Sequence, residues 1–337
     1  MRRSKKRTGF LLLAGGVTVL LVGPLLIPVP PLKDTLSPQE LADDDSQFIT
    51  INGQLIHIKK MGQGEPVFLL LHGFASSMYT WHAVMEPLSQ IGSVIAYDRT
   101  GFGLSERPLT WKGQNPYSSE AQVELAVKLL DHFGVQKVVL VGNSAGGTVA
   151  MQTTLTHPER VSGLILVDPA VYNGGGAPQW MQPILGTPQM RHLGPLFARQ
   201  ILKRGPDLLK LAWHNPTIIS PEVLEKYQKP FRVENWDNAL WEFTLASQPT
   251  GLRKRLSEFT LPILVISGDH DRIVPTKDSI RLAEELPDAS LEVIPNAGHV
   301  PHEEQPQLFM KAVSNYLSKL QLKEKTNAKS NDKYPSS

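Results

Sequence analysis

Residues 138–149 read VVLVGNSAGGTV, and this stretch confines the chain to a narrow set of folds. An unbroken run of valine and leucine is the pattern of a strand buried on both faces, as strands of a parallel sheet are. The run stops at Gly142, a serine follows, and a helical pattern of small residues begins at once. Strand, sharp turn and helix in so short a span put Ser144 at the tip of the turn, its hydroxyl pushed outward, inside a Gly142-x-Ser144-x-Gly146 frame. Such a frame arises readily by chance. The buried-type strand before it and the helix after it carry the argument.

The same alternation recurs along the chain. Strand patterns at 48–51 and 54–60 flank Asn52-Gly53, a hairpin dipeptide. Further strand patterns at 66–71, 93–97, 161–167, 261–266 and 290–294 are separated by helical ones, and a last helix is expected to end near 320. Strands alternating with helices predict an α/β fold with a mostly parallel, doubly wound sheet. One interruption stands out: from 170 to 250 strand patterns vanish, and Gly174-Gly175-Gly176, several prolines and Trp180, Trp213, Trp236 and Trp241 appear. Inserted after a sheet strand, this segment is expected to form a helical lid beside the ligand crevice, with the tryptophans filling its own small core. The core is then 48–169 and 251–320, and the lysine-rich stretch 321–337 reads as a disordered tail.

The N-terminus poses a separate question. Five basic residues between positions 2 and 7 precede 18 uncharged residues, 10–27. As a helix that run spans about 27 Å, close to the hydrocarbon thickness of a bilayer. Read this way, 1–9 is a basic cytoplasmic segment, 10–32 an uncleaved signal anchor, and 33–47 a linker to an extracytoplasmic domain in a single-pass membrane protein. A cleaved signal peptide is the rival, although the run ends in Pro28-Val29-Pro30-Pro31 and not at a small-residue cleavage site. The overall charge of +2 combines those five basic residues with a net +3 in 319–337, so the chain between carries −6. An acidic main domain argues against nucleic acid as a partner. The chain has no cysteine, which removes disulfides, thiolate metal sites and thiol nucleophiles.

A serine hydroxyl needs a base to attack a carbonyl, and that base needs a carboxylate to hold its tautomer. Asp271 follows the strand pattern at 261–266 and His299 the one at 290–294, which continues the order serine, acid, histidine from Ser144. Asp269 and Asp168, also at strand ends, are alternative acids. The amides of Ala145, after the serine, and Phe74, in the loop after 66–71, are the candidate oxyanion donors, with His72 ordering that loop. The loop DRTGFGLSERP at 98–108 is not a dinucleotide fingerprint, and its Asp98 is expected to bond loop amides. His299-x-x-His302-Glu303 matches no common zinc spacing and contains Pro301, so neither metal nor cofactor is expected.

With HGF at 72–74, DRTGFGLSERP, GNSAGG at 142–147, GDHDRIVP at 268–275 and GHVPHEEQP at 298–306, residues 48–320 resemble the α/β-hydrolase superfamily. HGF and GHVPHEEQP are similar to segments of haloalkane dehalogenases and epoxide hydrolases, whose nucleophile is an aspartate where this chain has Ser144. Asn143 is similar to the meta-cleavage carbon–carbon hydrolases, whose glycine-rich oxyanion loop is here Gly73-Phe-Ala-Ser-Ser77. The resemblance implies a serine hydrolase acting on an ester or acyl compound through an acyl-enzyme, and the absence of an evident basic cluster in 170–250 predicts a small, largely apolar substrate. Carbon–carbon hydrolysis and perhydrolysis on the same triad are alternatives. A non-catalytic binding protein on this fold is the reading from a different class, and it would be expected to have lost a triad member.

Overall fold

The computed structural model describes residues 15–16, 18–172 and 179–331. Eight strands form one sheet: β1 (Gln47–Ile51), β2 (Gln54–Met61), β3 (Val67–Leu71), β4 (Ser93–Tyr97), β5 (Val138–Asn143), β6 (Val161–Val167), β7 (Ile263–Gly268) and β8 (Ala289–Ile294). Their spatial order is β1-β2-β4-β3-β5-β6-β7-β8. The β1–β2 hairpin turns at Asn52 and Gly53, both at positive φ as a tight primed turn demands, and β2 runs antiparallel to β4. From β3 to β8 every pairing is parallel.

Side-chain alternation along the parallel strands divides the interior into two cores. Leu69, Leu140, Leu164 and Val265 share one with Val123 and Leu129 of α2 (Ser119–His132) and Val149 of α3 (Ala145–Thr156). Phe68, Val141, Ile165 and Ile266 share the other with Leu88 of α1 (His82–Ser89) and Phe309 and Val313 of the last helix. A sheet buried on both faces explains why these strands read as unbroken apolar runs and not as alternating ones. Because β3 to β8 point the same way, the loops leaving their carboxyl ends gather on one rim.

Between β6 and β7 the described chain is helical: α4 (Pro188–Lys203), α5 (Gly205–Ala212), α6 (Pro221–Gln228) and α7 (Trp236–Ala246). Trp213, Trp236 and Trp241 are buried there, while Trp180 is 73% exposed. After β7 come α8 (Thr276–Glu285) and α9 (Pro306–Asn331). That last helix continues past residue 320 to Asn331, through a lysine-rich sequence that has no glycine or proline to stop it. Residues 332–337 lie outside the described residues.

The membrane anchor expected over 10–32 does not stand. Residues 1–14 and 17 lie outside the described residues, and among the described residues no helix is long and apolar enough to cross a membrane. A 3-10 turn, Gly23–Leu26, with a proline in its first positions, ends the local helical stretch. The chain on either side of this turn lies along α4: Gln189 Nε2 donates to the Leu21 carbonyl at 2.8 Å, His192 Nε2 to Ile27 at 2.8 Å and Arg199 Nη1 to Pro30 at 2.7 Å. A bilayer-spanning helix satisfies its backbone internally, whereas these carbonyls are satisfied by side chains of the helical insertion. The single-pass assignment, the extracytoplasmic placement and the membrane as a partner are withdrawn with the anchor. Residues 33–47, expected as a linker, also touch the insertion, through a bridge between Leu36 and Val233 and ion pairs from Asp43 to Lys226 and Lys229.

Candidate active site

Ser144 sits between β5 and α3 with φ 52° and ψ −119°, a backbone that a non-glycine residue adopts only under strain. Its N–H donates to the Val167 carbonyl at 2.9 Å, fixing the turn to β6. The flanking glycines are needed for contact distances. A Cβ on Gly146 would lie 2.2 Å from the Leu71 carbonyl oxygen, and one on Gly142 2.6 Å from the carbonyl oxygen of Gly146. Ala145 opens α3, so its N–H is one of the donors that a helix leaves without an internal partner.

His299 is buried, and its Nδ1 lies 2.7 Å from Asp271 Oδ2. The second carboxylate oxygen of Asp271 accepts the N–H groups of Ile273 at 2.7 Å and Val274 at 2.9 Å. The His299 loop is anchored on both sides: its N–H donates to Ala212 of the insertion at 2.6 Å, and its carbonyl accepts from Asn143 Nδ2 at 3.1 Å. Asn143 also donates to the Val167 carbonyl at 3.2 Å, so the residue before the serine ties β5, β6 and the histidine loop together. That role carries no sequence signal beyond an amide beside the serine.

The two alternative acids occupy other positions. Asp269 pairs with His270 at 2.6 Å and accepts the Ala297 N–H at 3.2 Å, away from His299. Asp168 is fully buried behind the pair, accepting from Ser267 Oγ at 2.7 Å and the Gly268 N–H at 3.1 Å. Burial, and then the neighbouring charge of Asp271, push its carboxyl well above the usual carboxylate range. One ligand atom from each of Asp168, Asp271 and His299 falls within 4.8 Å of the others. Within this set His299 Nδ1 and Asp271 Oδ2 are already bonded to each other, so a metal ion there would have to displace that pair.

A cavity of about 640 Å³ opens beside Ser144. Phe74, Val149 and Phe243 give it apolar wall, but Gln122, Arg99 and Arg253 also reach it. The two arginines lie outside the 170–250 segment. The buried tryptophans of the insertion do not line the cavity; each packs in a separate cluster, Trp236 with Phe102 and Leu240, Trp241 with Leu185 and Leu245, and Trp213 with Val300. In the loop after β4, Asp98 accepts the N–H groups of Met78 and Leu104, each at 2.7 Å.

The sequence model of the alpha/beta hydrolase fold family matches residues 66–306. A 2-hydroxymuconate semialdehyde hydrolase of Pseudomonas putida is 34% identical over 276 residues, covering 79% of this chain and 92% of that protein. Among solved structures, a thermophilic esterase from Thermogutta terrifontis superposes with a TM-score of 0.65 at 28% identity, covering 82% of this chain and 98% of that one. An N-acyl homoserine lactone degrading enzyme superposes with a TM-score of 0.64 at 27% identity, covering 80% and 99%.

Proposed function

Because this chain belongs to the α/β-hydrolase family, we propose that it is a hydrolase of carboxylic esters working through an acyl-enzyme on Ser144. The observation that carries the reading is the His299–Asp271 pair, buried and 2.7 Å apart, on the same sheet rim as a serine held at φ 52° beside an open cavity. In this reading His299 takes the Ser144 proton as Oγ attacks the ester carbonyl, and Asp271 holds the Nδ1 proton and steadies the imidazolium. The carbonyl oxygen, now an oxyanion, is met by the N–H groups of Phe74 and Ala145. His299 then gives its proton to the departing alkoxide, and water repeats the sequence on the acyl-enzyme to release the acid. The partly apolar cavity suits a small-to-medium acyl group, each buried methylene stabilising by about 0.8 kcal/mol.

The likeness to 2-hydroxymuconate semialdehyde hydrolase supports a second reading, carbon–carbon hydrolysis by the same residues. A fluorophosphonate label located by peptide mapping, combined with a p-nitrophenyl ester series, tests both. Labelling of Ser144 with kcat/KM rising and then falling along the series is expected. Labelling with negligible turnover of every ester would reject the ester and favour a carbon–carbon bond, and no label on Ser144 would reject the nucleophile. Ser144→Ala should lower kcat by roughly a million-fold while leaving the fold intact.

A further inference from the structure

Arg99, the second residue after β4, is 1% exposed, yet it lines the cavity shared by Ser144 and Phe74. Its guanidinium lies 5.1 Å from the ring of Phe102 and 5.8 Å from that of Phe243, and its Nε has no hydrogen-bond partner. Among the described residues no carboxylate forms an ion pair with it: Asp98, its neighbour in sequence, is turned to His57 and to two loop amides. Burial lowers its pKa to about 10, so the group is a cation at neutral pH. An unpaired buried cation carries a large desolvation cost that an apolar side chain of similar length would avoid. A positive charge left uncompensated beside a reacting centre has an electrostatic use.

That use is visible in one peptide unit. Arg99 Nη2 donates to the Gly73 carbonyl at 2.9 Å, and His72 Nδ1 donates to the same oxygen at 2.8 Å. The N–H of Arg99 itself donates to His72 Nε2 at 3.0 Å, which assigns the histidine proton to Nδ1. Burial and then the Arg99 charge lower the His72 pKa to about 3, so the ring remains neutral. The Gly73 carbonyl and the Phe74 N–H belong to a single delocalised amide. Two donors on the oxygen, one of them charged, draw electron density toward it, strengthen the N–H as a donor and fix the amide plane. Gly73 abuts the nucleophile, since a Cβ placed on it would lie 3.3 Å from Ser144 Cβ.

We propose that Arg99 is the positioning cation of the oxyanion hole, holding and polarising the Gly73–Phe74 peptide so that Phe74 N–H meets the charge of the tetrahedral intermediate. The proposal rests on the reading of Ser144 as nucleophile and Phe74 as donor. Charge on that oxygen develops fully only in the transition state, so the contribution falls on kcat and not on KM. The test compares wild type with Arg99→Met, Arg99→Gln and Arg99→Lys in the full chain. It reads kcat and KM on a neutral p-nitrophenyl ester, the affinity of a trifluoromethyl ketone that forms a tetrahedral adduct, and the active-site concentration by fluorophosphonate titration. For Arg99→Met, kcat is expected to fall roughly 100-fold with KM nearly unchanged, the ketone weakening in parallel. Arg99→Gln, which keeps a donor for Gly73 and lacks the charge, carries the same expectation if the methionine variant does not fold, and Arg99→Lys should restore much of kcat. Unchanged kcat and ketone affinity in a folded neutral variant would overturn the proposal. So would a loss confined to KM with kcat unchanged, which would make Arg99 a substrate-binding group. Labelling of Ser144 together with unchanged kcat withdraws Arg99 alone, whereas no labelling of wild type withdraws the parent reading and the proposal with it.

Discussion

His57 and His299 each place Nδ1 2.7 Å from the Oδ2 of a buried aspartate, Asp98 in one case and Asp271 in the other. Each aspartate also accepts two backbone amides. A serine stands at the far nitrogen of His57, with Ser46 Oγ 2.8 Å from Nε2. Ser144, the serine that the proposed mechanism assigns to His299, differs from Ser46 in its surroundings. Ser46 lies in the turn before β1, where its Oγ also accepts the Asp43 N–H at 3.0 Å, and its backbone is not among those at positive φ. Ser144 is held at φ 52°, is followed by the free amino end of α3, and faces the 640 Å³ cavity. A serine–histidine–aspartate relay is therefore, by itself, a way of burying polar groups. In the proposed mechanism, backbone donors and room for an acyl group are what a catalytic site adds to such a relay.

That contrast can be broken experimentally. Asp271→Asn should cost about 10⁴-fold in kcat with a melting temperature close to wild type, because the wrong histidine tautomer is then held. A fall below a hundredfold in steady-state assays would mean that Asp168 takes over as the acid. His57→Gln should show the opposite signature: a loss of about 3 kcal/mol in urea unfolding, as a buried carboxylate loses its partner, with kcat per folded molecule within a few-fold. A kcat collapse at full stability would make the two clusters equivalent.

A third buried acid sharpens the comparison because no imidazole is within hydrogen-bonding distance of it. Glu303 Oε1 accepts hydroxyl hydrogens from Thr80, at 2.6 Å, and from Tyr227 of α6, while His82 Nδ1 stands off at 3.6 Å. His57 and the loop amides outweigh burial at Asp98 and keep it below the usual carboxylate range, whereas burial pushes Glu303 up to about 8. Glu303 thus binds its proton more tightly folded than unfolded. Its contribution to stability is complete below its ordinary value of 4.5, declines as the pH rises, and is lost above about 8. Glu303→Gln should flatten the stability profile across that window in denaturant titrations; an unaltered slope would refute the assignment. The smallest effect belongs to Ser46→Ala, expected to lower stability by about 1 kcal/mol. Its fluorophosphonate stoichiometry should stay at wild-type level, and loss of a label would give Ser46 a nucleophilic role.

Much of this could be read from the residues. The strands buried on both faces read as apolar runs, and the pairing of Asp271 with His299 was legible because parallel strands deliver their following loops to one rim. Asp98 bonds loop amides as its turn suggested. Arg99 was passed over because arginine in a polar loop reads as solvent-facing, and only tertiary contacts show it enclosed by His72, Phe102 and Phe243. Glu303 was invisible for the same reason: its partner Tyr227 lies 76 positions away. The uncharged run 10–27 satisfied a length criterion for crossing a bilayer. That criterion is blind to a 3-10 turn at Gly23–Leu26 and to carbonyls claimed by α4.

The chain leaves the sheet at the end of β6 and returns as β7, the strand paired directly beside it, with Leu164 opposite Ile263. The helices between occupy a detour that joins two neighbours and crosses no other strand. Its length and sequence can drift without disturbing any register in the sheet, which leaves Ser144, Asp271 and His299 where they are. Diversification of such a protein is thereby channelled into one replaceable module, which supplies Phe243 to the cavity wall and Ala212 to the His299 loop. Grafting that detour from a relative should change which acyl groups are accepted while the grafted protein keeps its fluorophosphonate-reactive serine.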